Sequence, residues 1–360
     1  MAKTRRYSPW GSGSEVAGGP GARYPSPVPL ATGKLPAALL REVLAAACVP
    51  APEVRLGPAL GEDACAIALD GGVLVAATDP ITLIGSGVGG HAVVVNANDV
   101  AVMGVRPRWF LTVALLPVGT VADDVRRLMA DTRRALDAVG AVLVGGHTEV
   151  TAAVRQPVVV GQMLGFAPDG RFVTTGGARP GDVLLQVGRA PIEGAAVLAA
   201  EAPGAARLPG DLRARALEAL ERPGISVVEA ALAAAELGAR SLHDPTEGGL
   251  AAGLFEVAEA SGVALVVDPD AVLWFEPGLR VCRALGADPW GTLASGSLLA
   301  AFQAGRVEQA RAELVRRGFE ASAIARAAPG RGMRLVSGEP LATFERDEVA
   351  RVLAEAEGGS

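Results

Sequence analysis

Five acidic side chains stand beside glycines or strongly apolar stretches, where carboxylates are unexpected. Because burying an unpaired carboxylate is costly, such residues need a cation, hydrogen bonds or a proton. Mg²⁺ prefers hard oxygen ligands and usually keeps bound water while it bridges to phosphates. The sequence therefore predicts a magnesium site, with these candidate ligands: Asp63, Asp79, Asp99, Glu149 and Asp244.

Some of these acids have a second explanation. Asp63 precedes an expected strand and Asp79 follows one, so either could be a turn or helix-cap residue. Asn96, Asn98 and Asp99 instead interrupt an expected helix rich in Val and Ala. Either this face lines a polar site or the helix is half exposed. We favour the site, with Asn96 and Asn98 as nucleotide contacts and Asp99 as a catalytic residue.

Two glycine pairs adjoin the acidic motifs, in the segments Gly145–Glu149 and Asp244–Gly249. Glycine has no Cβ, so backbone N–H groups can approach phosphate oxygens closely, above all at a helix start. The first pair could also be a simple turn. We expect nucleotide contacts from Gly145, Gly146, Thr148, Gly248 and Gly249.

Histidine occurs only at positions 91, 147 and 243, which is too few and too scattered for a zinc site. His147 and His243 each adjoin an acidic motif, so each could be a proton shuttle, a phosphate contact or a structural residue. We take His147, Asp99 and Asp244 as candidate catalytic residues. The glycine-rich stretch Gly85–Gly90 is a weak dinucleotide signal because no long strand precedes it.

The elements that position these residues follow from apolar periodicity. Residues 1–33 are rich in Gly, Pro and Ser and are expected to form a disordered tail, or a segment that folds over a neighbouring subunit or a ligand. Strands are predicted at Cys65–Leu69, Val73–Ala77, Trp109–Leu115, Ala141–Val144 (short and buried), Val158–Leu164, Val183–Val187, Val263–Val267 and Leu298–Phe302. Helices are predicted near 35–44, 90–103, 121–139, 193–200, 226–237, 249–261 and 307–317, with one more after Thr343.

This order of elements predicts a mixed α/β, or α+β, protein with two domains. A stretch rich in Gly, Pro and Thr at 167–180 marks the expected boundary. The domains would span 34–167 and 168–343, followed by a tail at 344–360.

Composition excludes several classes of protein. The net charge of −6 argues against a nucleic-acid partner. Cys48, Cys65 and Cys282 are too few for a disulfide framework, so we expect reduced, mostly buried thiols in a cytoplasmic protein. No apolar run reaches the roughly 18 residues of a membrane helix, so no membrane partner is expected.

In order along the chain, the motifs resemble one superfamily. It includes aminoimidazole ribonucleotide (AIR) synthetase, thiamine-monophosphate kinase, selenide water dikinase and the hydrogenase maturation protein HypE. The resemblance covers about residues 34–340, and the HypE branch is the most similar. It is carried by Gly61–Ala64, Thr78–Pro80, Val95–Gly104 (VNANDVAVMG), Gly145–Thr151 (GGHTEVT), Asp244–Ala251 (DPTEGGLA) and Leu293–Leu299 (LASGSLL).

The resemblance implies an N-terminal domain, 34–167, that binds ATP and Mg²⁺ and dimerises into a β-barrel with flanking helices. It implies a C-terminal α/β sandwich, a homodimer, and chemistry in which phosphoryl transfer activates an oxygen atom. In the HypE branch, ATP drives dehydration of a carbamoylated C-terminal cysteine to a thiocyanate.

Two positions depart from that branch. The chain ends in Gly358-Gly359-Ser360 rather than in a cysteine-bearing tail, and Glu247 stands where the loop more often carries arginine. We therefore expect an ATP- and Mg²⁺-dependent enzyme that activates an amide, carbamoyl or carboxyl oxygen of a small molecule or protein. The alternatives are a small-molecule kinase of the thiamine-monophosphate kinase type and a catalytically inactive nucleotide-binding scaffold.

Overall fold

A computed structural model describes residues 35–59, 61–82 and 87–357. The expected tail at 1–33 lies outside the described residues, as do Gly85 and Ser86 of the glycine-rich stretch. Two six-stranded mixed sheets organise the described chain, one built from its N-terminal half and one from its C-terminal half.

The first sheet is open. Its spatial order is β1 (Val54–Leu56), β2 (Cys65–Leu69), β3 (Gly72–Ile81), β6 (Val158–Ala167), β4 (Pro107–Pro117) and β5 (Val142–Thr151). Only β4 and β5 pair in parallel, because a helical crossover joins them. The short helix α1 (Ala37–Ala47) precedes this sheet. The six strands of the single chain form no closed barrel within the described ranges.

Two helices cover one face of the first sheet. Helix α2 (Val88–Val102) packs against β3 and β6, and α3 (Ala122–Val139) packs on α2. In β3, β4 and β6 the buried side chains alternate with less buried ones, the pattern of a sheet with one covered face. Helix α2 is almost wholly buried, including Asn96, Asn98 and Asp99, so the half-exposed alternative for this helix is wrong.

The second sheet has helices on both faces. Its spatial order is β12 (Gly332–Leu335), β9 (Ala264–Val267), β11 (Ala321–Ala328), β7 (Val183–Val187), β10 (Leu298–Phe302) and β8 (Ser241–His243). Strands β7 and β10 are buried along their whole length, which explains their continuous apolar runs. The helices of this half are α4 (Glu193–Glu201), α5 (Gly210–Glu218), α6 (Val228–Glu236), α7 (Gly249–Ser261), α8 (Glu276–Leu285), α9 (Val307–Arg316) and α10 (Glu348–Glu357).

Some sequence predictions were wrong or incomplete. Strand β5 is not short and buried: it has ten residues, and nearly all of its side chains are exposed because it forms an uncovered edge of the sheet. Cys48 is exposed rather than buried, whereas Cys282 is buried and its pKa is raised to about 11, mainly by desolvation. The sequence analysis missed six elements that are short or rich in Ala: β1, β8, β11, β12, α5 and α8.

Within the described ranges, none of the helices combines the length and the apolar character that a membrane span requires.

Candidate active site between the two sheets

Three of the predicted acids meet where the two halves of the chain adjoin. Asp63 lies two residues before β2, Asp79 lies near the end of β3, and Asp244 follows β8. Asp244 is only 2% exposed, and neither of its carboxylate oxygens has a hydrogen-bond partner among the described residues. Burial is the main reason that the pKa of Asp244 is raised well above its usual value, and the negative charges of Asp63 and Asp79 add to this effect. The carboxylates are therefore close enough to repel one another.

His243 organises this group of acids. Its Nδ1 atom lies 2.8 Å from an Asp63 oxygen, and its Nε2 atom lies 2.9 Å from a Glu256 oxygen. Burial by itself would lower the pKa of His243, but the two carboxylates outweigh burial and hold the pKa well above its usual value. The side chain is thus an imidazolium that holds Asp63 beside Asp244.

Glu62 fixes the same loop from its other side. Its carboxylate accepts hydrogen bonds from the backbone N–H groups of Thr175 (3.2 Å) and Gly176 (3.3 Å). Desolvation nevertheless raises its pKa. Neither Glu62 nor Glu256 was singled out in the sequence, because their partners lie 113 and 13 residues away and no local pattern marks them.

The two polar residues of α2 at positions 96 and 98 act on backbone groups. Asn96 accepts a hydrogen bond from the Asp79 N–H (2.8 Å) and donates to Ala92 O (2.8 Å), which fixes the end of β3 against α2. Asn98 donates to Ile225 O (2.9 Å) and accepts from Val227 N–H (2.9 Å). A nucleotide contact through either amide would have to use the donor or acceptor capacity that these bonds leave.

Asp99 lies on the same helix and is buried, with 5% of its surface exposed. Its predicted roles as ligand and catalytic residue remain predictions.

The glycine pair before α7 is already engaged by a carboxylate. Gly248 N–H donates to an Asp347 oxygen at 2.7 Å. Gly248 and Gly249 have φ angles of +82° and +69°, a left-handed conformation that favours glycine. A Cβ on Gly249 would also collide with the Trp290 carbonyl oxygen. The start of α7 thus binds an anion, but in this structure that anion is a side chain of the protein.

The predicted site residues on β5 lie apart from Asp63, Asp79 and Asp244. His147 Nε2 lies 3.2 Å from a Glu149 oxygen, and both side chains are exposed. In the sheet register, Asp79 pairs with Gly161, Gly161 with Thr112, and Thr112 with Gly146. Three strand spacings of about 4.8 Å put β5 roughly 14 Å from β3. Within one chain, Glu149 therefore does not join Asp79, and Gly145, Gly146 and Thr148 lie on the same distant edge.

This site contains carboxylate oxygens that suit a hard cation, but it does not contain a complete set of protein ligands for a metal ion. Hard carboxylate oxygens are ligands that Mg²⁺ prefers. The two unpartnered oxygens of buried Asp244 fit such an ion, because a cation would offset their desolvation. Among the described residues, however, no three His, Cys, Asp or Glu side chains are already arranged to hold a metal. The remaining ligands would be water and phosphate oxygens, as is common for Mg²⁺.

Two family models match the chain. The AIR synthase related protein N-terminal domain matches residues 61–167, and the corresponding C-terminal domain matches residues 179–338. Together they cover strands β2 to β12, and Asp63, Asp79, His243 and Asp244 with them.

Curated relatives agree with these models. Carbamoyl dehydratase HypE of Rhodobacter capsulatus is 33% identical over 212 residues, which are 58% of this chain and 60% of that protein. Its counterpart in Cupriavidus necator is 30% identical over 67% of this chain and 68% of its own length. Thiamine-monophosphate kinase of Corynebacterium glutamicum is 30% identical over 58% of this chain and 62% of that protein. The chain thus spans about 60 to 68% of the lengths of these relatives.

A crystal structure of the hydrogenase maturation protein HypE in complex with ATP is similar in fold. It has a TM-score of 0.65 and 26% sequence identity, and the match covers 82% of this chain and 92% of that one. The chain therefore belongs to the AIR synthase-related protein family, and its sequence is similar to HypE members of that family.

Proposed function

We propose that the protein is an ATP-dependent enzyme that uses Mg²⁺ and activates an amide, carbamoyl or carboxyl oxygen by phosphoryl transfer. The observation that carries this proposal is the buried carboxylate of Asp244, which has no hydrogen-bond partner among the described residues and lies near Asp63 and Asp79. A site that concentrates negative charge in this way is suited to divalent cations that bridge to nucleotide phosphates. The similarity to the ATP complex of HypE supports a nucleotide as the ligand.

In this proposal Asp63, Asp79 and Asp244 hold Mg²⁺, and Asp99 acts at the same site from α2. The metal would neutralise charge as the γ-phosphoryl group moves to the acceptor oxygen. His243 holds Asp63 in place through their 2.8 Å contact. Asn96 orients Asp79 through the bond to its N–H group. The acceptor oxygen, once phosphorylated, becomes a leaving group, which is the chemistry that a dehydratase requires.

A homodimer is part of the proposal. Strand β5 is an edge strand whose apolar side chains Val142, Leu143, Val144 and Val150 are each about half exposed. Long exposed apolar edges invite pairing with another chain, and two such open sheets could close into a barrel. Within one chain Glu149 is too far from Asp79 to share a metal ion with it. In a dimer, Glu149 of the second copy could approach Asp79 instead. The catalytic assignment of His147, which pairs with Glu149 on β5, depends on the same dimer.

The proposed domains are 34–167 and 168–343. The spans of the two family models, which end at 167 and begin at 179, support a boundary in this interval. Each proposed domain carries one of the two sheets, and Asp63 and Asp79 come from the first while Asp244 comes from the second.

A small-molecule kinase is the second candidate. The similarity to thiamine-monophosphate kinase over 58% of the chain favours it. Product analysis separates the two functions, because a kinase releases a stable phosphorylated acceptor. Activation chemistry instead releases ADP, phosphate and a dehydrated or amidated product.

The decisive experiment is a thermal-shift screen of the full chain with ATP, with and without Mg²⁺, followed by turnover assays with carbamoyl, amide and carboxyl acceptors. A ligand that binds only the folded state raises the melting temperature. Mg²⁺ and ATP together should stabilise the protein more than either alone. The Asp99→Asn variant should remain folded but lose nearly all ATP turnover. Turnover like that of the wild type would reject the role of Asp99, and the absence of any ATP-dependent shift would reject the function.

A further inference from the structure

A second group of polar side chains lies outside the carboxylate site. His91 is on α2, Glu193 is the first residue of α4, and Ser295 lies in the loop before β10. The side chain of Glu193 is 7% exposed. Its Oε1 atom lies 3.7 Å from His91 Nε2, which is too far for a hydrogen bond. His91 from the first half of the chain and Glu193 from the second are thus adjacent but not hydrogen-bonded to each other.

Two buried atoms in this group lack partners. His91 Nε2 and Ser295 Oγ are both inaccessible to solvent, and neither has a hydrogen-bond partner among the described residues. Ser295 is 1% exposed, and its hydroxyl is near enough to Glu193 to lower the pKa of that carboxyl against the effect of burial. Buried polar groups are nearly always hydrogen-bonded, so unsatisfied atoms beside a buried acid indicate that a polar group belongs among them.

Two acids, Glu193 and Glu247, lie near each other in this group. Desolvation raises the pKa of Glu193, His91 opposes that shift, and the nearby charge of Glu247 adds to it. Glu247 is half-buried in the loop before α7. Within the described ranges, the ion pair of Glu193 is that with His91. An anionic ligand would be repelled here, whereas a cation would offset the cost of burying Glu193.

The backbone around the group is held by hydrogen bonds. Gly194 N–H donates to Leu293 O at 3.0 Å, and Ala294 N–H donates to Thr246 O at 3.2 Å. These bonds connect the loop that contains Ser295 to the start of α4, where Glu193 lies, and to the loop before α7, where Glu247 lies.

We infer that the acceptor substrate carries a positively charged nitrogen group, an ammonium, amidinium or guanidinium, which binds between Glu193 and Glu247. Its N–H groups donate to the Glu193 carboxylate, and Ser295 Oγ and His91 Nε2 contact the polar atoms next to it. This inference rests on the proposed function, because it assigns the acceptor of that reaction. It predicts that the enzyme prefers cationic acceptors to neutral or anionic ones of the same size.

The test uses small probes and the full chain. Thermal shifts are measured with about 20 mM methylguanidinium, methylammonium, N-methylurea or acetate, at equal ionic strength, a range in which a fragment that fills a charged pocket should respond. Methylguanidinium and methylammonium should raise the melting temperature, and N-methylurea and acetate should not. Glu193→Gln should weaken methylguanidinium binding at least about tenfold, the loss expected for a charge-assisted hydrogen bond. The shift caused by ATP and Mg²⁺ should persist in that variant.

Glu247→Gln provides a second variant on a more exposed loop, in case Glu193→Gln does not fold. It should also weaken methylguanidinium binding while the response to ATP and Mg²⁺ is kept. The inference is overturned if neither cation stabilises the protein more than sodium does, or if N-methylurea is as effective. It is also overturned if Mg²⁺ alone gives a shift that Glu193→Gln removes, because the group would then be a metal site. A third outcome separates the two proposals. If the organic cations stabilise the wild type but not Glu193→Gln, and ATP with Mg²⁺ stabilises neither protein, the cation site is supported and the proposed function is rejected.

Discussion

His243 Nδ1 and Asp63 Oδ2 lie 2.8 Å apart although 180 residues separate them in the chain. This contact joins the end of β8 in the second sheet to the loop just before β2 in the first. It places Asp63 beside Asp244, whose own oxygens have no partner in the described structure. The His243–Asp63 pair therefore keeps one carboxylate next to another, Asp244, whose burial is not offset by hydrogen bonds. Such an arrangement favours ligand binding over stability.

Replacing Asp244 with Asn should stabilise the free protein and remove its response to ATP and Mg²⁺. Neutral Asn avoids the burial of a charge, so the free energy of unfolding at neutral pH should rise by about 1–3 kcal/mol. The folded-state pKa of Asp244 is raised above the usual 3.8, so the folded wild type binds a proton more tightly than the unfolded chain does. Its stability is therefore lost as the pH rises, and the advantage of the Asn variant should grow with pH.

Urea denaturation at several pH values and thermal shifts with ATP and Mg²⁺ measure both effects. Asp70→Asn, in the exposed turn between β2 and β3, is the matched control and should change neither quantity. An Asp244→Asn protein that is less stable than the wild type, yet still responds to nucleotide, would contradict the assignment.

Replacing Asn98 with Ala should destabilise the protein by about 2–4 kcal/mol. The variant loses two buried hydrogen bonds and leaves Ile225 O and Val227 N–H without their partner. Urea denaturation gives the change in the free energy of unfolding. Gln303→Ala removes an exposed amide and should stay within about 0.5 kcal/mol of the wild type. A loss no larger than that control would show that Asn98 does not join α2 to the segment before α6.

A charge on the exposed edge strand should prevent dimer formation. Leu143 on β5 is 47% exposed, and Leu143→Lys places an ammonium group where a second copy would pack. Light scattering at micromolar concentration should show a dimer for the wild type and a monomer for the variant. Val315→Lys, at a 50% exposed position on α9, controls for a general effect of added charge. A monomeric wild-type protein would count against the proposed barrel.

Asp347 should make stability depend on pH between about 4 and 6. Burial raises its folded-state pKa from 3.8 to about 6, against the hydrogen bonds from Gly248 and Val349 that favour the charged form. A raised pKa means that the folded protein binds the proton preferentially, so this contribution is present at low pH and is lost as the pH rises through 6. The full effect is about 3 kcal/mol.

The measurement compares urea denaturation of the wild type and Asp347→Asn at pH 4, 5, 6 and 7. The profile of the variant should be flatter over this window, so that the difference between the two proteins changes by a few kcal/mol. Parallel profiles would show that Asp347 titrates in the same way in the folded and unfolded states.

Local sequence patterns predicted much of the secondary structure. The strands Cys65–Leu69, Val183–Val187 and Leu298–Phe302 occur at the bounds that their apolar runs indicate. Helix α3 also occurs as its amphipathic period predicts, one residue later at its start. These elements could be predicted because burial along a strand or helix leaves a periodic mark in the sequence itself.

Strand β5 shows where such patterns mislead. Its apolar start suggested burial, but it forms the uncovered edge of the sheet, and its exposure depends on what lies beside it rather than on its own residues. Strand β11, with the sequence ASAIARAA, was missed because Ala is a poor strand former and its pairing with β7 and β9 decides its conformation.

The sequence by itself determined which residue types could bind a cation and in which local contexts they occur. Tertiary structure alone decided that Asp63, Asp79 and Asp244 meet, that Glu149 lies three strands away from Asp79, and that Asn98 binds backbone 127 residues distant. The physical reason is that hydrophobic period and turn chemistry act over a few residues, whereas distances between side chains depend on sheet register and on how two separate cores pack.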